Sequence, residues 1–274
     1  MGLATACRMQ SIEYVGKAGK SLSAYTDTMG NSATLCEIQK GEEVCRTEAV
    51  YDSDELVARS LSMLAEYGAG LEKLSGKKSV GLDKLVEGGL TLNAATEWTD
   101  LGDKGPDAIK KGAGLIDKLI AGGIQRKVFK ETYTQLGDTM AELEARYKTV
   151  LVTQLEYICR IDHQIREQRA LFGTADIACP EGSNATCENQ LKLILMSSES
   201  ILIDLRRRRQ AVYEAGAGVA LFFAAHETLG QLVRSNGKSD KEVAAAMKAA
   251  GKEAKANMKK YLEEAESSIS DCQR

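Results

Sequence analysis

The chain has 274 residues, 43% of them hydrophobic and 27% charged, with 36 basic against 39 acidic side chains and a net charge of −3. That balance allows a buried core but supplies no long-range positive field, which argues against nucleic acid as a partner. Two prolines, Pro106 and Pro180, and 5% aromatic residues fit long uninterrupted helices rather than a sheet sandwich. The expected fold class is all-α: an elongated antiparallel bundle built on a long two-helix hairpin and stapled by disulfides.

The chain opens on small and apolar residues. Leu3-Ala4-Thr5-Ala6-Cys7 looks like a bacterial lipobox, where a lipoprotein signal is cut and the cysteine is acylated. The charged and hydrophobic parts of such a signal are missing and are expected upstream of Met1. Residues 1–8 are then a tether with Cys7 as the lipidated residue. Arg8 follows it rather than an aspartate, so the expected location is the periplasm or the outer membrane. Setting Cys7 aside leaves six of the seven cysteines, enough for three disulfides.

A first helix is expected from Met9 to Ile38, with Ile12, Val15, Leu22, Tyr25, Met29, Ala33 and Leu35 on one side. Cys36 and Cys45 then close a loop at its end. Cys179 and Cys187 form a second close pair. Zinc would want cysteines two to four residues apart and additional histidine ligands, whereas the only histidines are His163 and His226. Disulfides in an oxidising compartment are expected instead. Asp52-Ser53-Asp54-Glu55 starts a second helix, with acidic residues where the dipole favours them. That helix buries Leu56, Val57, Leu61, Leu64, Tyr67, Leu71 and Leu74, and it stops near Gly76.

Ten of the 25 glycines fall between Gly76 and Gly123. Glycine weakens a helix interior, so short helices with breaks are expected here, over residues 79–98 and 106–121. No phosphate-loop pattern accompanies these glycines.

Two long arms follow. In the first, Phe129, Tyr133, Leu136, Met140, Leu143, Tyr147, Val150, Gln154, Tyr157 and Ile161 recur in steps of four and three, the spacing of a helix packed along its length. The second gives Leu191, Ile194, Ser198, Ile201, Leu205, Arg208, Val212, Ala215, Val219, Phe222, His226, Leu229 and Val233. Each arm should reach about 70 Å at 1.5 Å per residue. Within the second, Ala215 to Ala225 is strongly apolar but far short of the ~20 residues of a spanning helix, so it is expected to be buried with its small residues closely packed. Ser239-Asp-Lys-Glu242 is a capping box that launches a last helix. Its expected buried stripe is Val243, Met247, Ala250, Ala254, Met258, Tyr261, Ala265 and Ile269. Counting residues up one arm, down the other and along the last helix brings Cys272 level with Cys159, the third expected disulfide.

Candidate functional residues are few. The polar hairpin tip carries Asp176, Glu181 and Asn184 between the arms, with Cys179 and Cys187 bounding it. It is either a pre-organised recognition loop or a staple against fraying, and the glycine-rich stretch is the competing surface. Asn184-Ala-Thr186 fits a glycosylation acceptor, which the lipobox argues against. Arg206-Arg207-Arg208-Arg209 spreads around the second arm. Arg208 is expected to turn inward to a carboxylate such as Glu144 or Glu156, leaving Arg206, Arg207 and Arg209 for solvent or an acidic partner. His163 and Glu167 share a helix face without a third metal ligand, and His226 belongs to the core. No catalytic signature appears, so no enzyme activity, cofactor or metal is expected.

The division expected is a tether at residues 1–8, N-terminal helices over 9–123, and the hairpin with the last helix over 124–274, all in one continuous bundle. The expected function is that of an exported, lipid-anchored helical protein that binds another protein, as a structural element, a receptor or a toxin inhibitor. A membrane-active protein that inserts residues 215–225 is the alternative.

Overall fold

A computed structural model describes residues 9–48, 50–75, 126–173, 185–234 and 240–272. Among the described residues every regular element is a helix and none is a strand. Cys7, the helices expected between Gly76 and Gly123, the tip residues Asp176, Cys179, Glu181 and Asn184, and the capping Ser239 lie outside them.

The N-terminal third differs from expectation. In place of one helix from Met9 to Ile38 there are α1 (Met9–Lys20), a 3-10 turn (Ser21–Tyr25), α2 (Thr26–Met29) and α3 (Ser32–Lys40). The break between α2 and α3 leaves backbone groups without helical partners, and distant side chains supply them. Asp54 Oδ2 accepts the Ala33 N–H at 2.6 Å. Gln154 Nε2 donates to the carbonyls of Thr28 at 2.8 Å and Met29 at 3.2 Å, and to Ser32 Oγ at 3.2 Å. Gln154 is therefore the polar break in the first arm's seam because it satisfies the end of a short helix. Burial pushes the Asp54 carboxyl above its ordinary range, against the pull of its hydrogen bonds from Ala33 and Ser32.

Cys36 and Cys45 are disulfide-bonded and fully buried. The expected loop between them is helical: α3 runs to Lys40, Gly41 turns the chain with φ +88°, and α4 spans Glu42–Thr47. A positive φ suits glycine, so the turn occupies one residue. The next helix, α5 (Val50–Ser75), begins before Asp52, which places Asp54 inside it, aimed at α3.

Three long helices complete the described structure: α6 (Arg126–Gly173), α7 (Ala185–Arg234) and α8 (Asp240–Ser268), followed by a 3-10 turn, Ser270–Cys272. Arg169 pairs with Glu199, and Tyr147 packs on Phe223. These two pairings fix α6 and α7 as antiparallel. The described part of the first-arm seam, from Met140 to Ile161, is buried as expected, and Leu151, Leu155 and Ile158 are buried with it. The apolar face is wider than a two-helix seam because α6 also touches α3 and α8.

The segment Ala215–Ala225 lies in the core. Ala215, Val219, Phe222 and Ala225 have no exposed surface, and α1 crosses α7 there. A Cβ on Gly218 would come within 2.1 Å of the Tyr25 ring, so the glycine admits that ring. No helix among the described residues is long and apolar enough to cross a membrane.

The buried stripe of α8 starts at Val243 and Met247 as expected, then drifts. Met258, Leu262 and Glu266 are buried, whereas Tyr261 is 42% exposed. A straight helix has 3.6 residues per turn, so a seven-residue repeat slips about 20° per heptad and the next residue takes over. The third expected disulfide forms: Cys159 bonds to Cys272 across a sequence separation of 113. Cys187 is disulfide-bonded as well, although its expected partner Cys179 is outside the described residues.

Candidate functional site

The arginine run sits on α7 where α8 comes alongside. Arg208 does not reach Glu144 or Glu156. Its Nε donates to Asp204 Oδ2, one turn back on the same helix, at 2.6 Å, while Glu144 holds Lys148. The arginine that makes an interhelical pair is Arg209, whose Nε lies 2.5 Å from Glu266 Oε1 on α8. Arg206 and Arg207 are exposed. Arg208 is held within α7, whereas Arg209, one step round the helix, is the member of the run that faces α8. Register with the last helix therefore decides which arginine is held.

Glu266 is the centre of this region. It is 7% exposed, accepts a hydrogen bond from Tyr213 Oη on Oε2 at 2.7 Å, and places Oε1 3.7 Å from Cys159 Sγ. The sulfur carries no proton in the disulfide, so that last approach is a packing contact and not a hydrogen bond. A carboxylate buried without partners would be costly, and Arg209 and Tyr213 supply the charge and the donor it needs. The same carboxylate raises the Tyr213 hydroxyl, after burial itself. Cys159, Glu266 and Cys272 could hold a metal by geometry, but both sulfurs are committed to the disulfide. Sequence spacing did not single out Glu266 or Tyr213. Their signal was present in the register that aligned Cys272 with Cys159, since Glu266 lies little more than one turn before the 3-10 turn that carries Cys272.

Beside Glu266 an open groove of about 680 Å³ runs between α7 and α8. Lys255 and Lys259 line it together with Glu214, Glu263, Ala217 and Ala256. Mixed charge over small side chains suits a polar macromolecular surface better than an enclosed apolar ligand, for which few polar groups in an apolar lining are the norm.

Neither histidine joins this region. His163 Nε2 pairs with Glu167 at 3.1 Å along α6, as its spacing implied. His226 is 2% exposed among Phe222 and Tyr67, with Tyr67 Oη 3.2 Å from its Nε2. Burial lowers its pKa from 6.5 to about 3. The folded state therefore refuses a proton that the unfolded chain accepts below pH 6.5. The stability supplied by neutral His226 is complete above that pH and drains away as pH falls toward 3. At 1.36 kcal/mol per pH unit, the loss should reach about 2–3 kcal/mol by pH 4.5. Denaturant midpoints of the wild type and His226→Phe between pH 7 and 4.5 check this: the variant should show the shallower fall, and parallel profiles would refute it.

No protein-family model, curated protein or solved structure matches the chain.

Proposed function

We propose that this chain is an exported, lipid-anchored helical-bundle protein of the periplasm or outer membrane that works by binding another protein, as a structural element, receptor or toxin inhibitor. The observation that carries the reading is the pair of disulfides, Cys36–Cys45 and Cys159–Cys272, which suit an oxidising compartment. Cys7 in its lipobox-like setting supplies the anchor. The interhelical groove with Lys255, Lys259, Glu214 and Glu263 supports this reading by offering a charged surface for recognition.

Metabolic labelling of the precursor with a fatty-acid analogue tests the anchor. Label should appear in the wild-type protein and vanish in Cys7→Ser, and label retained in that variant ends the lipoprotein reading. The membrane-active alternative rests on the apolar run 215–225. It requires that run to leave the core, so liposome leakage should rise when the disulfides are reduced. No leakage with or without reductant removes it.

A further inference from the structure

The N-terminal part of α7, residues 193–203, is apolar where nothing in the described structure covers it. Its helix partner α8 reaches only as far as the Arg209–Glu266 pair before turning to Cys272 and Cys159. Beyond that level α7 packs on α6 among the described residues, with Leu202 and Leu205 buried. The opposite face carries Leu193 at 66%, Met196 at 71% and Ile203 at 40% exposure. With Ser200, these residues recur in steps of three, four and three, which is the seam of a helix that packs against another helix. Leu193, Met196 and Ile203 together expose on the order of 300 Å² of apolar side chain, within the range of the largest patch of a soluble monomer.

We propose that this stripe is a homodimer interface, in which α7 of a second copy packs antiparallel on Leu193, Met196, Ser200 and Ile203. The charges beside it select both the copy and its direction. Lys192, Glu199 and Arg206 follow one another at intervals of seven along a single flank, so their signs alternate. Parallel packing about a two-fold axis along the seam would put the two copies of this flank on opposite sides, so its charges would not meet. Antiparallel packing that seats Leu193 on Met196 of the second copy sets Lys192 beside Glu199 of that copy, and the two-fold axis repeats both contacts. Glu199 holds Arg169 through Oε2, which leaves Oε1 to receive the lysine.

With polar margins included, the pairing covers on the order of 1000 Å² in total, the lower limit for a specific assembly, so the dimer should form reversibly at micromolar concentrations. Sedimentation velocity on the full chain with its disulfides intact, from about 1 to 100 µM, reads this directly. The wild type should shift from monomer to dimer over that range. Leu193→Glu/Met196→Glu should remain monomeric with an unchanged melting curve, because both side chains are already exposed. Lys192→Glu should weaken association about tenfold by opposing two like charges across the axis. A wild type that stays monomeric throughout overturns the proposal, as does a dimer that survives the double substitution. Vesicles of anionic phospholipid form the other arm: a monomeric wild type that binds them through Leu193 and Met196 assigns the stripe to a lipid surface instead.

Discussion

Removing the Cys159–Cys272 bond should cost more stability than losing any other covalent or polar contact among the described residues. The bond closes a separation of 113 residues, from the middle of α6 to the end of the last turn. Loop-closure entropy in the unfolded chain then gives about 4–5 kcal/mol, against about 2–3 kcal/mol for the nine-residue separation of Cys36–Cys45. The native state adds a local reason for the larger loss. Without the disulfide the end of α8 is held by the salt bridge of Arg209 with Glu266 and the hydrogen bond from Tyr213. Denaturant titration of Cys159→Ala/Cys272→Ala beside Cys36→Ala/Cys45→Ala is the measurement. The first variant should lose about twice as much as the second, and equal losses would show that the separation does not govern the effect.

Much of this was legible in the sequence because it rests on periodicity. The buried run Met140 to Ile161, the buried Ala215–Ala225 segment and the reach of α6 and α7 all follow from apolar spacing along single helices. Register was legible too, since helix rise is constant, and it located Cys272 opposite Cys159. What stayed hidden depends on groups far apart in the chain. Nothing local to residues 26–33 announces that Asp54 and Gln154 will satisfy a break there, so the stretch looks like one helix. Arg208 and Arg209 differ by one step around α7, and only the position of α8 decides which of them meets Glu266. Tyr261 lost its buried place to Leu262 through the slow slip of a straight helix against a heptad, an error that grows with length. The apolar stripe Leu193–Ile203 was hidden for a related reason: Ile194 and Ile201 fitted the expected seam, and the seam's other side was never given a use.

Glycine carries the second large effect. In a helix interior Gly→Ala ordinarily gains about 0.5–1 kcal/mol. At Gly68 of α5 the sign should reverse. A Cβ there would lie 2.4 Å from the Lys20 backbone nitrogen and 2.6 Å from Gly19 Cα, and the mirror approach puts a Cβ on Gly19 2.8 Å from Gly68 Cα. One turn along, a Cβ on Gly16 would meet the Glu72 backbone nitrogen at 2.5 Å. Helices α1 and α5 therefore cross backbone on backbone, and no side-chain rotation relieves the clash. The two helices would have to separate, opening the contact through which Val15, Leu22, Leu64 and Leu71 are buried. Overpacking of this kind costs 1–3 kcal/mol where side chains can adjust, and about 3 kcal/mol or more is expected where backbone is struck. Gly41→Ala is the control, since its Cβ meets nothing within 4 Å and only the φ of +88° opposes it. That variant should lose about 1–2 kcal/mol. Thermal and denaturant unfolding of the two variants decides the matter: Gly68→Ala must be the more destabilised, and a Gly68→Ala protein as stable as the wild type would mean that α1 and α5 do not cross at this distance.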